Sequence, residues 1–384
     1  MSYSCQICRD SHLNRFPEFS TLPRITSDCR PFRKGSELAF CGSCGAIQKL
    51  PSPQWFADIG DVYRDYYAYF QAEGAEQIVF DARTGQVRFR SDVLLERLAE
   101  AIPVKDVGAA LDIGCGTGVT LMSLSSRFPR YRLFGQDLDR RNEERLRRIP
   151  CFEGLHTAAP RDVPGIFDVV TLIHSIEHFP EPLAVLASIR SKLAGDGVLL
   201  VEVCDVERNP FDLLIVDHLM HFSAHTLRLI IEEAGLGVSI LARDWISKEL
   251  SCVAQAADGV IRKPGAHDAR VVSAMVSRSL DWLRQMVDAA RSSVNRFGKI
   301  GIFGTSIAGT WLAGSIPQGC AFFVDEDPNR VGRTHMGKPI LAPQDVDDGS
   351  AVFLALTPAV ADTIAGRLQG LPIRLIRPPA IDLN

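Results

Sequence analysis

Leu111-Asp112-Ile113-Gly114-Cys115-Gly116-Thr117-Gly118 is the stretch on which the fold turns. Its first half continues Ala109-Ala110, an apolar run that suits a buried strand. In its second half, glycines at alternate positions let the backbone turn sharply and approach a ligand closely at the carboxyl end of a sheet. About twenty residues later another apolar run, Arg132-Leu133-Phe134-Gly135, ends at Gln136-Asp137, where a carboxylate can accept both hydroxyls of a ribose. Phe167–Leu172 and Gly197–Val203 read as a third and a fourth strand, separated by helical stretches. Strands alternating with helices predict an α/β fold with a parallel sheet and helical crossovers.

A glycine loop followed by an acid is shared by dinucleotide-binding folds, so those two features alone leave the ligand open. The spacing is more informative. D-x-G-x-G-x-G, from Asp112 to Gly118, resembles motif I of class I methyltransferases and differs from the G-x-G-x-x-G of dehydrogenases. That resemblance implies S-adenosylmethionine as cofactor, with Asp112, Gly114, Gly116, Gly118 and Asp137 as the residues that bind it.

The chain has 384 residues, longer than one compact core usually runs, so two or three domains are expected. With 46% hydrophobic and 23% charged residues it has the composition of a globular protein. A formal charge of -4 offers no field attractive to nucleic acid, which is not expected as a partner. No basic segment leads into an apolar one near Met1, and no apolar run is long enough to span a bilayer. The expectation is a cytoplasmic protein without a membrane span. In a reducing compartment, paired cysteines suggest metal before disulfide.

Two such pairs, Cys5-Gln6-Ile7-Cys8 and Cys41-Gly42-Ser43-Cys44, outline a zinc ribbon. Four thiolates close a tetrahedral Zn2+ and leave no position for water, so the metal is structural. Gly42 is expected to aid the turn, and Cys29 and His12 lie near enough in sequence to substitute for a ligand. A segment this small has little core of its own and needs the staple.

The aromatic cluster from Tyr63 to Phe70 either roofs a pocket or docks the zinc module on its neighbour. A helix is expected over Asp92–Ala99 with Ser91 as N-cap. After Ala256 the composition breaks, and a helix follows with Val272, Met275, Val276, Leu280, Leu283, Met286 and Val287 on one face. Beyond it a second strand and glycine loop, Lys299 to Ser306, opens another small α/β domain with strands at Cys320–Asp325 and Ala351–Leu356. The expected units are a zinc-binding module and aromatic linker at 1–90, a methyltransferase domain at 91–258, and a bridging helix with a Rossmann-like domain at 259–384.

Chemistry is expected at the carboxyl edge of the sheet. The third strand runs into Ile173-His174-Ser175-Ile176-Glu177-His178, where His178 can serve as a base or merely shape the pocket. After the fourth strand comes Asp217-His218-Leu219-Met220-His221-Phe222-Ser223, an acid beside a histidine ahead of a helix that Ser223 can cap. This loop reads equally as acid/base machinery or as a capping and packing loop.

Taken together, these regions resemble the sugar C-methyltransferases that act on nucleotide-linked keto-deoxysugars. That family combines an N-terminal four-cysteine zinc module, a central methyltransferase domain and a C-terminal domain with a degraded dinucleotide fold. The resemblance covers nearly the whole chain. It implies that Cys5, Cys8, Cys41 and Cys44 hold zinc, that His178, Asp217 and His218 work on the proton beside a ketone, and that the C-terminal domain helps hold a nucleotide-sugar. The chain departs from the family where Asp217 replaces a glutamate and Ile215 stands in place of a tyrosine. The alternatives are an O-methyltransferase of a surface-polysaccharide sugar, or a non-catalytic binding protein that keeps the fold.

Overall fold

The computed structural model of the chain describes residues 3–67, 76, 78–81, 83–84, 86–257 and 268–382. Ala68, Tyr69 and Phe70 of the aromatic cluster, and most of the break after Ala256, lie outside the described residues.

The central sheet has seven strands in the spatial order Phe152–His156, Tyr131–Gln136, Gly108–Ile113, Phe167–Ile173, Leu193–Cys204, Glu249–Ala256, Leu236–Ala242. The first five are mutually parallel, and Glu249–Ala256 runs antiparallel to both its neighbours. Adjacent residues face opposite sides of a strand. Ala110 accordingly packs with Leu94, Leu98, Leu121 and Leu124 on one face, while Leu111 packs with Leu186, Ile189 and Ile230 on the other. Helices thus cover both faces, as a largely parallel sheet requires. This is a Rossmann-like class I methyltransferase architecture.

Two expected caps have different outcomes. Ser223 accepts a hydrogen bond from the Thr226 amide and, with Thr226 answering back, forms a capping box for helix Ala224–Glu233. Ser91 does not cap its helix, which begins two residues earlier than expected, at Arg90, with Phe89 as N-cap. The Ser91 hydroxyl instead donates to the buried Glu76 carboxylate.

The N-terminal sheet is built from Leu13–Arg15, Leu38–Cys41 and Ile47–Lys49, and its fourth strand is Met220–His221. Register pairs Met220 with Gln48 and His221 with Ile47. The segment before it is held as well, because Ile25 bridges to Ile215 and the Val216 amide donates to the Ile25 carbonyl. The cysteine-bearing module therefore grips the loop that carries Asp217 and His218.

Helix Ala269–Phe297 buries Val272, Val276, Leu280, Leu283, Met286 and Val287, the expected face, with Met275 half-buried beside them. It leads to a second sheet in the order Thr334–His335, Lys338–Leu341, Cys320–Val324, Ile300–Phe303, Ala351–Leu354, Arg374–Ile376. All of these strands are parallel except Thr334–His335. One hydrophobic cluster joins Phe16, Ile25, Leu213, Trp282 and Trp311, so the N-terminal module, the central loop and the C-terminal sheet share a core. Within it Phe211 meets Trp282 and Trp311 edge-on, with ring centroids 5.2 and 5.9 Å away. Among the described residues no helix is long and apolar enough to cross a membrane.

Candidate active site

Strand order reverses between Gly108–Ile113 and Phe167–Ile173, and such a switch point leaves a crevice beyond the carboxyl ends of the strands. The loop after Gly108–Ile113 forms one wall. Gly114 and Gly118 have φ of +76° and +82°, and a Cβ on either would strike a neighbour, Ser175 at 2.7 Å or Leu146 at 2.4 Å. At Gly116, in contrast, a Cβ would meet only the Gly114 carbonyl, at 4.0 Å, so this part of the loop presents bare backbone to open space. The loop is fastened to the next strand by the Gly114 and Cys115 amides, both donating to the Gln136 carbonyl.

Asp137 stands across from that backbone and accepts from the Gly116 amide at 2.6 Å. Burial pushes its pKa upward, against the opposing pull of the Gly116 and Leu138 amides. The Asp137 carboxylate and the Gly116 backbone thus face each other in a cradle suited to the ribose and backbone-approach needs of an adenosine. Asp112 has a different position, beneath the loop, where it is buried and accepts from Thr171 Oγ1 at 2.6 Å. Burial raises its pKa to about 7, with Thr171 opposing and Asp137 adding to the rise.

The opposite wall holds an unexpected arrangement of charges. Asp217 does not pair with its sequence neighbour His218. Its Oδ2 lies 3.3 Å from His178 Nδ1, and it also accepts from the Ser27 amide at 3.0 Å and from Ser27 Oγ. His218 turns its Nδ1 to Asp212 Oδ1, 2.7 Å away, and Asp212 Oδ2 takes His221 Nδ1 at the same distance. The rings of His178 and His218 meet edge to face, with centroids 4.6 Å apart. Two Asp–His pairs therefore stand side by side.

Each partner tunes the other. Burial disfavours the charged form of His178, but Asp217 outweighs it and raises the histidine's pKa. Burial likewise opposes ionisation of Asp217, and the bond and charge of His178 outweigh it, holding the carboxyl well below its usual range. Glu177 is buried beside them, its nearest cationic partner being His174 Nδ1 at 3.4 Å. His174, expected to face the crevice with His178, also reaches Glu249, at 3.1 Å from Nε2.

Helix Pro53–Arg64 closes the roof. Trp55 Nε1 donates to the Val216 carbonyl, docking the helix on the loop, while the Tyr63 hydroxyl lies 3.1 Å from His178 Nδ1. Of the aromatic cluster, Tyr63 is thus placed at the roof of the crevice. Sequence reasoning missed Asp212, Ser27 and Lys49. An isolated carboxylate in the apolar run Phe211-Asp212-Leu213-Leu214-Ile215-Val216 was the available signal, since an aspartate there is buried only with partners. Lys49, fully buried on a strand of the N-terminal sheet, donates to the Ile215 and His218 carbonyls and lies 3.2 Å from His221 Nε2. Desolvation lowers its pKa to about 7.

The four cysteines come together as their spacing requires. Cys5 and Cys44 sulfurs are 3.5 Å apart, as are those of Cys8 and Cys41, and all four ligand atoms lie within 4.8 Å of one another. A tetrahedral zinc with Zn–S bonds of about 2.3 Å separates its sulfurs by about 3.8 Å, so the donor set fits the metal. Neither Cys29 nor His12 belongs to this group. The left-handed turn residue is Gly45, with φ of +76°, rather than Gly42, which instead lies close against His12.

Residues 87–239 match the family described as a methyltransferase domain. Among solved structures, the chain is similar to an S-adenosylmethionine-dependent methyltransferase from Clostridium acetobutylicum, at 13% identity over 53% of this chain and 99% of that one, with a TM-score of 0.38. It is similar to the mitomycin 7-O-methyltransferase MmcR, at 19% identity over 54% of this chain and 69% of that one, with a TM-score of 0.39. It also resembles CalO1, a methyltransferase in calicheamicin biosynthesis in its SAH-bound form, at 18% identity over 52% and 58% of the two chains and a TM-score of 0.36. No curated protein matches the sequence.

Proposed function

We propose that this S-adenosylmethionine-dependent methyltransferase acts on a sugar carried by a nucleotide and methylates it at carbon, beside a ketone. The observation that carries the reading is the adjacency of Asp217–His178 and Asp212–His218 at the carboxyl edge of the sheet, opposite the Gly114–Gly118 loop. An acceptor carbon beside a carbonyl must lose a proton before it can take a methyl group, and an imidazole backed by a carboxylate is the group suited to remove it.

When bound, S-adenosylmethionine supplies an electrophilic methyl group on a sulfonium. The Gly116 backbone and Asp137 would hold it, and Asp112 would brace the loop from below. His218, its Nδ1 held by Asp212, takes the acceptor's proton at Nε2. His178, kept basic by Asp217 and reached by the Tyr63 hydroxyl, shares the same pocket and steadies the charge that develops on the acceptor oxygen. Helix Pro53–Arg64, docked through Trp55 on the Val216 carbonyl, would roof the acceptor. The zinc would be structural, holding strand Ile47–Lys49 in register with Met220–His221 and so holding the Asp217–His218 loop.

A nucleotide-linked acceptor is supported by the second sheet. The loop at Gly304-Thr305-Ser306 opens helix Ile307–Ser315, and the buried Arg330 donates to Thr305 Oγ1 and Ser306 Oγ, at 3.1 and 2.9 Å. Asp325, ending the second strand of that sheet, accepts from Thr305 Oγ1 at 2.6 Å. The turn and helix N-terminus have the outline of a nucleotide-binding loop, with Arg330 held beside them by ion pairs to Asp325 and Asp327.

The test is proton exchange without methyl donor. In D2O, a nucleotide-linked keto-deoxysugar incubated with the zinc-loaded protein should take up deuterium at the carbon beside the ketone. Methyl transfer to a sugar hydroxyl with no such exchange would replace carbon methylation by O-methylation.

A further inference from the structure

We infer that Asp212 is a positioning residue: its carboxylate fixes His218 as the Nδ1–H tautomer and leaves Nε2 as the proton acceptor in the crevice. The inference rests on the methyl-transfer reading for its consequence, though the geometry stands without it.

An ionised carboxylate can only accept hydrogen bonds. Each oxygen of Asp212 lies 2.7 Å from one imidazole Nδ1, so both His218 and His221 must carry their proton there. The far side of His221 agrees. In its ammonium form Lys49 has three N–H donors and no acceptor, and these match the Ile215 and His218 carbonyls and His221 Nε2, the last 3.2 Å away. His221 Nε2 is therefore the acceptor and its Nδ1 the donor, which is the assignment reached from the carboxylate side. Asp212 itself cannot swing away. It lies in the fully buried turn Pro210–Leu214, and the preceding Phe211 is wedged between Trp282 and Trp311. One carboxylate thereby orders two histidines, one toward the crevice and one toward the zinc-bearing module.

The obvious variant is Asp212→Asn, which offers both a donor and an acceptor and so releases the tautomer. In the full zinc-loaded chain it should lower kcat by about 10²–10⁴-fold while leaving the KM for S-adenosylmethionine near the wild-type value. Asp212→Glu should recover part of the loss. The second measurement needs no variant at the aspartate. Long-range 1H–15N correlation on histidine-labelled wild-type protein, with His218 assigned by comparison with His218→Gln, should give the Nδ1–H pattern for His218.

A wild-type Nε2–H pattern, or an Asp212→Asn protein with unchanged tautomer and unchanged kcat, overturns the inference. Should Asp212→Asn fail to fold, the wild-type spectrum alone decides. An Nδ1–H pattern in a folded protein that binds no S-adenosylmethionine would contradict the methyl-transfer reading and leave the positioning geometry intact.

Discussion

His178 Nδ1 lies 3.3 Å from Asp217 Oδ2 although the two are 39 residues apart in sequence, whereas His218, next to Asp217 in the chain, bonds elsewhere. Two carboxylate-backed imidazoles thus stand with their rings in edge-to-face contact.

Removing the first imidazole should cost turnover and spare the cofactor. His178→Ala is expected to lower kcat by about 10²–10⁴-fold, with S-adenosylmethionine affinity within a few-fold of wild type. Steady-state kinetics and calorimetry on the same preparation check this. Equal, small effects on both would make His178 a packing residue.

Asp137 should behave in the opposite way. A hydrogen bond to a charged group contributes about 1.5–3 kcal/mol, so Asp137→Ala should weaken cofactor binding by about 10–150-fold. Part of the loss belongs to the Gly116 amide, which Asp137 also engages. Unaltered affinity would move the ribose contact away from this carboxylate.

Zinc should be needed by the distant site as well as by its own module. Lys49 and the backbone of Ile47–Lys49 hold the segment from Ile215 to His221, and that one strand follows directly on the Cys41–Cys44 knuckle. Cys41→Ser is expected to lose the metal, by atomic absorption, together with methyl transfer, because zinc binding is folding free energy in such modules. A variant that kept its metal would contradict the four-thiolate ligand set.

The glycine loop, the parallel strands and the cysteine pairs were legible because each depends on local spacing. Leu111 to Gly118 is a contiguous signal, and a C-x2-C knuckle carries its geometry within four residues. The pairing of Asp217 with His178 was not legible, because it is fixed by the register of Met220–His221 on Ile47–Lys49, a contact between distant segments. Sequence adjacency misled at Asp217-His218 for that reason: the two side chains leave the backbone toward different partners. The antiparallel strand Glu249–Ala256 escaped notice too, since its apolar run carries no glycine loop to mark its edge.

Acid sensitivity should trace in part to His221. Burial and the charge of Lys49 lower its pKa from 6.5 to about 4, outweighing Asp212. Between those values the unfolded chain binds a proton that the folded chain refuses, so this residue makes stability fall as pH drops through that window, by up to about 1.4 kcal/mol per pH unit. Asp112, raised to about 7, acts with the opposite sign over much of the same range. The readout is accordingly a difference: urea denaturation at pH 7 and pH 4.5 should show a smaller acid loss in His221→Gln than in wild type. Parallel curves would mean that His221 is charged when folded.

Calorimetry with S-adenosylmethionine on the zinc-loaded chain tests most directly whether the Gly114–Gly118 loop and Asp137 form the methyl-donor pocket. Saturable binding of one equivalent is expected, weakened in Asp137→Ala and retained in His178→Ala. No binding to a folded, zinc-loaded wild-type protein would contradict it.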